Sequence, residues 1–94
     1  MVTIESVTLL AVGVSHHHLG SDHLAELEVL APDLTRAIES STAVEGLVVV
    51  ATCNRFEAYL DATAFHPAVE AVVAALRATP QADPQAIIEA LDVH

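Results

Sequence analysis

Residues 48–60, reading Val-Val-Val-Ala-Thr-Cys-Asn-Arg-Phe-Glu-Ala-Tyr-Leu, constrain the fold of this chain more than any other stretch. Val48 to Ala51 is a short, β-branched run preceded by Gly46, the pattern of a buried strand. From Arg55 to Leu60 the pattern alternates, with Phe56, Ala58 and Leu60 on one face and Arg55, Glu57 and Tyr59 on the other. Between these two strands lies Cys53, the single cysteine. A thiol in such a connection has rigid flanks yet can remain exposed, which suits a nucleophile. The competing reading is a small buried hydrophobe, since free cysteines are commonly buried and inert.

The rest of the chain supplies elements to pack against that pair. Val7 to Val14 reads as a first strand, with Gly13 marking a close backbone approach or a bulge. Ser15 to Gly20 is a loop containing three consecutive histidines. Ser21 or Asp22 can cap a helix, followed by Leu24, Leu27 and Leu30. Pro32 is expected to break that helix and to open a second one, with Leu34 and Ile38 facing inward. Ser40 to Gly46 reads as a polar connection into the strands around Cys53. After Asp61 to Phe65, a helix opens at His66-Pro67 with Val69, Val72, Val73 and Leu76 on one side, and Thr79-Pro80 stops it. Asp83-Pro84 is a cap with Pro at the first helical position, and Ile87, Ile88 and Leu91 form a last apolar stripe. Val93-His94 begins a further strand. The order predicts an α+β fold of the ferredoxin-like β-α-β-β-α-β kind, a sandwich with helices on one face of a small antiparallel sheet. An incomplete sheet exposes an edge, so self-association of the chain is expected.

Composition narrows the function. Ninety-four residues form one domain, residues 1–94. The chain is 53% hydrophobic but 3% aromatic, so its core is built from Ala, Val, Leu and Ile. The net charge is −10, with Arg36, Arg55 and Arg77 the only basic residues besides histidine. That balance lacks the basic footprint of a self-sufficient nucleic-acid binder. One cysteine excludes an internal disulfide and a Cys-rich zinc site, and fits a reducing, cytoplasmic setting. The apolar runs are shorter than the ~18 residues of a membrane span, and no secretion leader is evident. His16, His17, His18 and His23 do not converge as metal ligands should, because adjacent loop residues point apart, so no metal is expected.

Thr52-Cys53-Asn54-Arg55-Phe56-Glu57-Ala58-Tyr59-Leu60 resembles the Thr-Cys-Asn-Arg-x-Glu-x-Tyr signature of glutamyl-tRNA reductases, and Leu10-Ala11-Val12-Gly13-Val14-Ser15-His16 resembles that family's opening strand. The order and approximate separation of the two motifs also match. The chain departs from the family pattern after His16, where His17-His18-Leu19-Gly20 replaces the usual Lys-Thr-Ala-Pro.

The resemblance implies a ferredoxin-like N-terminal part of a catalytic domain, without the NADPH-binding and dimerisation domains of a homodimeric parent enzyme. It implies that Cys53 attacks the ester joining glutamate to tRNA and forms a thioester. Hydride from NADPH then releases glutamate-1-semialdehyde for porphyrin (tetrapyrrole) biosynthesis. Thr52, Cys53, Asn54 and Arg55 carry over as the substrate-binding segment. No Gly-x-Gly-x-x-Gly element occurs here, so NADPH would be bound by a domain absent from this chain, and the chain alone should not reduce anything.

Acyl transfer asks for a thiolate, which a free thiol offers only in small fraction at neutral pH. If the backbone is extended at Cys53, Arg55 points the same way and can stabilise the thiolate, or it can bind a carboxylate through its fork of donors. A surface ion pair with Glu57 or Asp61 is the plainer role for Arg55. Glu57 and Tyr59 read as structural, and His16 as a neighbour of the site. Two other readings compete: a regulatory or interaction module that kept the fold and lost the reaction, and a metal-binding domain resting on the histidines.

Overall fold

A computed structural model describes residues 8–81 and 83–93. Among these residues run the strands β1 (Thr8–Ser15), β2 (Val44–Ala51), β3 (Arg55–Ala62) and β4 (Asp92–Val93), and the helices α1 (Ser21–Glu39), α2 (Phe65–Ala78) and α3 (Pro84–Ala90). The strands form one antiparallel sheet in the order β2-β3-β1-β4. This is the expected α+β, ferredoxin-like arrangement. Val7 and His94, expected in the first and last strands, lie outside the described residues.

The sheet buries one face only. Leu10, Val12 and Val14 of β1 and Phe56, Ala58, Leu60 and Ala62 of β3 meet Leu24, Leu27, Leu34 and Ile38 of α1 and Val72 and Leu76 of α2. Phe56 is the one aromatic residue in this cluster, so the layers fit through small side chains. The buried side of α2 is Ala68, Val72, Ala75 and Leu76, while Val69 and Val73 are half-buried. The helix thus turns its alanines inward from the expected valine stripe, which lets it lie close to its neighbours.

Three sequence expectations are corrected. First, Pro32 lies inside a single 19-residue helix. The apolar positions Leu24, Leu27, Ala31, Leu34 and Ile38 keep a helical period straight through it. Pro32 and Glu28 are both exposed, so the carbonyl that loses its donor at Pro32 faces water rather than the core. Second, α1 is preceded by Gly20, with no side-chain cap from Ser21 or Asp22; the Gly20 carbonyl accepts from the N–H groups of His23 (3.1 Å) and Leu24 (3.3 Å). The cap expected at Asp83 does form, its carboxylate accepting from the Ala86 N–H at 3.1 Å. Third, β2 begins at Val44 and is half-buried rather than fully buried, with Val48 62% exposed. It is an edge strand, and beyond the irregularity at Val44 and Gly46 its residues Gly46, Val48 and Val50 face the side that the helices leave open, while Val44, Leu47, Val49 and Ala51 pack toward the core.

Replacing Pro32 by Ala restores the missing donor to α1 without touching the core. The substitution is expected to raise unfolding stability by roughly 1–3 kcal/mol. Chemical denaturation checks this; an unchanged or lowered midpoint would show that the proline is accommodated by more than solvent exposure.

Candidate active site at the turn between β2 and β3

The segment from Thr52 to Arg55 folds as a turn whose hydrogen bonds come largely from one side chain. The Thr52 N–H donates to the Arg55 carbonyl at 2.8 Å. Thr52 Oγ1 accepts from the N–H groups of both Asn54 and Arg55, each at 3.2 Å. In a tight two-residue hairpin the Arg55 N–H would normally meet a backbone carbonyl, and the loop would call for residues at positive φ. The threonine hydroxyl takes that role here. No described residue has positive φ, so the turn forms without glycine.

The turn is also tied to the loop after β1. The His16 N–H donates to the Asn54 carbonyl at 2.8 Å, and the His16 ring nitrogen Nδ1 lies 3.4 Å from the same oxygen. The N–H groups of His18 (3.0 Å) and Leu19 (3.1 Å) return to the Ser15 carbonyl, and Leu19 is buried. Leu19 therefore anchors the loop while His16, His17 and His18 remain exposed. Among the described residues no group of three His, Cys, Asp or Glu side chains converges to hold a metal.

Cys53 sits exposed at the tip of this turn. The backbone bends at Cys53 and Asn54, so the expected extended geometry, with Cys53 and Arg55 pointing the same way, does not apply. Arg55 starts β3 on the open face of the sheet, and its Nη1 lies 3.3 Å from Glu57 Oε1. Tyr59 Oη donates to Glu57 Oε2 at 2.7 Å. Arg55, Glu57 and Tyr59 thus form a ladder along one face of β3, joined through the two oxygens of one carboxylate.

Gly13 makes room for this ladder. It pairs with Glu57 across β1 and β3, and a Cβ at Gly13 would lie 2.5 Å from the Phe56 carbonyl oxygen and 2.7 Å from Glu57 Cγ. Its backbone does not require a positive φ, so the demand is for space alone. A small hollow beside it is lined by Ser15, Glu57 and Asp92.

The structure therefore brings Thr52, Cys53, Asn54 and Arg55 together with His16 at one end of the sheet, and directs the Arg55 guanidinium to Glu57. Gly13 is the site residue whose part sequence reasoning understated. Its signal was present as a glycine inside an apolar strand, but its partner depends on register between strands more than 40 positions apart.

The Tyr59 hydroxyl is held above its ordinary pKa, first by the hydrogen bond that it gives to Glu57, then by desolvation and by the negative charge of Glu57, with Arg55 opposing. A raised phenol contributes stability below its unfolded pKa of about 10 and loses that contribution as pH rises through the folded value. Tyr59 is the only tyrosine and there is no tryptophan, so its absorbance change reports it directly. The titration midpoint is expected above 10 in the native chain, and closer to 10 after Glu57→Ala. Gly13→Ala should crowd the same ladder and destabilise the fold by about 1–3 kcal/mol. A thermal melt of that variant unchanged from the native chain would refute the close approach.

Comparison with known proteins agrees with the motifs. The family described as "Glutamyl-tRNAGlu reductase, N-terminal domain" matches residues 12–94. A glutamyl-tRNA reductase of Clavibacter michiganensis subsp. michiganensis is 46% identical over 54 residues, covering 56% of this chain and 12% of that protein. Those of Salinispora tropica and Micrococcus luteus are 34% and 35% identical, each covering 92% of this chain and 20% of the relative. The chain thus spans a fifth or less of the length of these relatives.

Proposed function

Since the chain belongs to the glutamyl-tRNA reductase N-terminal domain family, we propose that it is the N-terminal part of a reductase's catalytic domain, and that Cys53 is the nucleophile. The observation that carries this reading is the position of the thiol. It is exposed, at the tip of a turn pinned by Thr52 on one side and by His16 on the other.

In the proposed reaction the Cys53 thiolate attacks the ester carbonyl of glutamyl-tRNA. The carbon–sulfur bond forms, the carbon–oxygen bond to tRNA breaks, and the tRNA hydroxyl leaves with a proton. The thioester left on Cys53 is more readily reduced than a carboxylate. Reduction breaks the carbon–sulfur bond, regenerates the thiolate and releases glutamate-1-semialdehyde. NADPH is the proposed hydride source. The three glycines of this chain, Gly13, Gly20 and Gly46, lie apart and form no phosphate-binding loop, so the dinucleotide is assigned to another part of the reductase.

Thr52 fixes the turn, and Asn54 and Arg55 are the residues assigned to the glutamyl group in this reading. Arg55 meets Glu57 through Nη1, and its guanidinium has further N–H donors with which to take the substrate carboxylate. With a net charge of −10 and three arginines, this part of the enzyme lacks the basic surface that tRNA phosphates need, so those contacts fall to other regions. A homodimeric parent in the cytoplasm completes the proposal, since a free exposed thiol persists in a reducing compartment. No helix among the described residues is long and apolar enough to cross a membrane.

In the parent reductase, Cys53→Ser is expected to reduce glutamyl-tRNA turnover to background and to abolish labelling of the protein by radioactive glutamyl-tRNA. Turnover retained by that variant would remove the thioester mechanism. A parent inactive even with native Cys53 would favour the regulatory module. Arg55→Ala should cost about 1.5–3 kcal/mol of substrate binding, read as roughly a ten- to hundredfold rise in KM with smaller change in kcat.

A further inference from the structure

Glu57 stands between Arg55 and Tyr59 on the open face of β3, and both neighbours reach it. Side chains two residues apart on a strand share a face, roughly 6–7 Å from each other. Long side chains span that gap. Glu57 Oε1 lies 3.3 Å from Arg55 Nη1, and Glu57 Oε2 accepts from the Tyr59 hydroxyl at 2.7 Å. Its cross-strand partners, Gly13 on β1 and Val50 on β2, offer no side-chain hydrogen bond. Glu57 Cγ lies against the bare backbone of Gly13, where a Cβ would come within 2.7 Å. The carboxylate is thus held at both oxygens and supported from β1.

Exposure separates the fixed partner from the free one. The Glu57 side chain is 22% exposed and that of Arg55 is 51% exposed. Glu57 is therefore the support, and the guanidinium is the end that reaches solvent. Exposed ion pairs contribute little to folding, so stability alone does not account for the arrangement. Ligand binding gains more from it. An arginine that a ligand must order loses rotamer freedom on binding, whereas one already held in place loses less.

A carboxylate beside Arg55 can also work against the substrate, by closing on the guanidinium through both oxygens and occupying its fork. Tyr59 prevents that closure. Its hydroxyl takes Oε2, so Glu57 meets Arg55 through Oε1 and the other N–H donors stay available. We propose that Glu57 and Tyr59 are positioning residues for substrate binding: Glu57 holds Arg55 in place, and Tyr59 keeps Glu57 from taking the whole fork. The inference rests on the reading above, in which Arg55 binds the carboxylate of the glutamyl group.

Steady-state kinetics of the parent reductase with glutamyl-tRNA test it. Glu57→Ala leaves Arg55 unordered, and Tyr59→Phe lets Glu57 close on it. Each should raise KM about two- to tenfold with little change in kcat. Both act through another residue, so their effects should vanish in the right background. In Arg55→Ala neither substitution should move KM further, and in Glu57→Ala the change Tyr59→Phe should add nothing. Damage to the fold would persist in both backgrounds. Circular dichroism checks that each variant folds; should Glu57→Ala unfold, Tyr59→Phe, which removes one hydroxyl, decides through its effect with and without Arg55. A lower KM in Glu57→Ala would make Glu57 a competitor of the substrate and overturn the proposal, as would equal effects with and without Arg55. A raised KM in Arg55→Ala with native KM in Glu57→Ala and Tyr59→Phe would overturn this inference alone. Native KM in Arg55→Ala would remove the assignment of Arg55 and this inference with it.

Discussion

Strand β3 can bury Phe56, Ala58 and Leu60 only by presenting Arg55, Glu57 and Tyr59 to the opposite side, because successive side chains on a strand alternate faces. The other features of the domain depend on that constraint. β3 lies between β1 and β2, so its buried face forms the floor of the core on which α1 and α2 rest. A slip of one residue in either pairing would send the ladder into the core and the apolar residues into solvent. The hydrophobic requirement on one face thereby sets the polar geometry on the other.

That geometry reaches the thiol through short local contacts. The turn bearing Cys53 has neither glycine nor a left-handed residue, the usual means of reversing a chain in so few residues. It uses the Thr52 hydroxyl as a substitute acceptor and leans on the backbone of His16 from the neighbouring strand end. Such a turn is held from two sides while its tip stays open to solvent. The guanidinium of Arg55 is oriented by one carboxylate oxygen of Glu57, and Tyr59 occupies the other. Gly13 permits the carboxylate to lie against β1, so a residue with no side chain governs where a charged one can sit.

Much of this was legible in the chain. The alternation from Arg55 to Leu60, the β-branched run before Cys53 and the cap at Asp83 are local patterns, and each appears where its residues predict. Pro32 was misleading because proline is read as a helix breaker from its chemistry alone. Whether its missing hydrogen bond matters depends on which way the broken position faces, and here it faces water. Val48 to Ala51 read as buried because hydrophobicity does not say whether a strand lies at the centre or the edge of a sheet. The candidate site was readable as a stretch of residues, Thr52 to Arg55, but the direction of Arg55 was not, since the chain bends between it and Cys53.

The sequence by itself determined the order of strands and helices, the face that β3 turns inward and the position of a single thiol between two strands. These follow from periodicity, capping chemistry and the count of cysteines, all properties of residues near one another in the chain. Only the tertiary structure decided that Gly13 lies under Glu57, that His16 holds the Asn54 carbonyl and that β2 forms an edge. Each of those depends on the register and order of strands far apart in sequence. Register is set by the whole buried face at once, which no short stretch of residues contains.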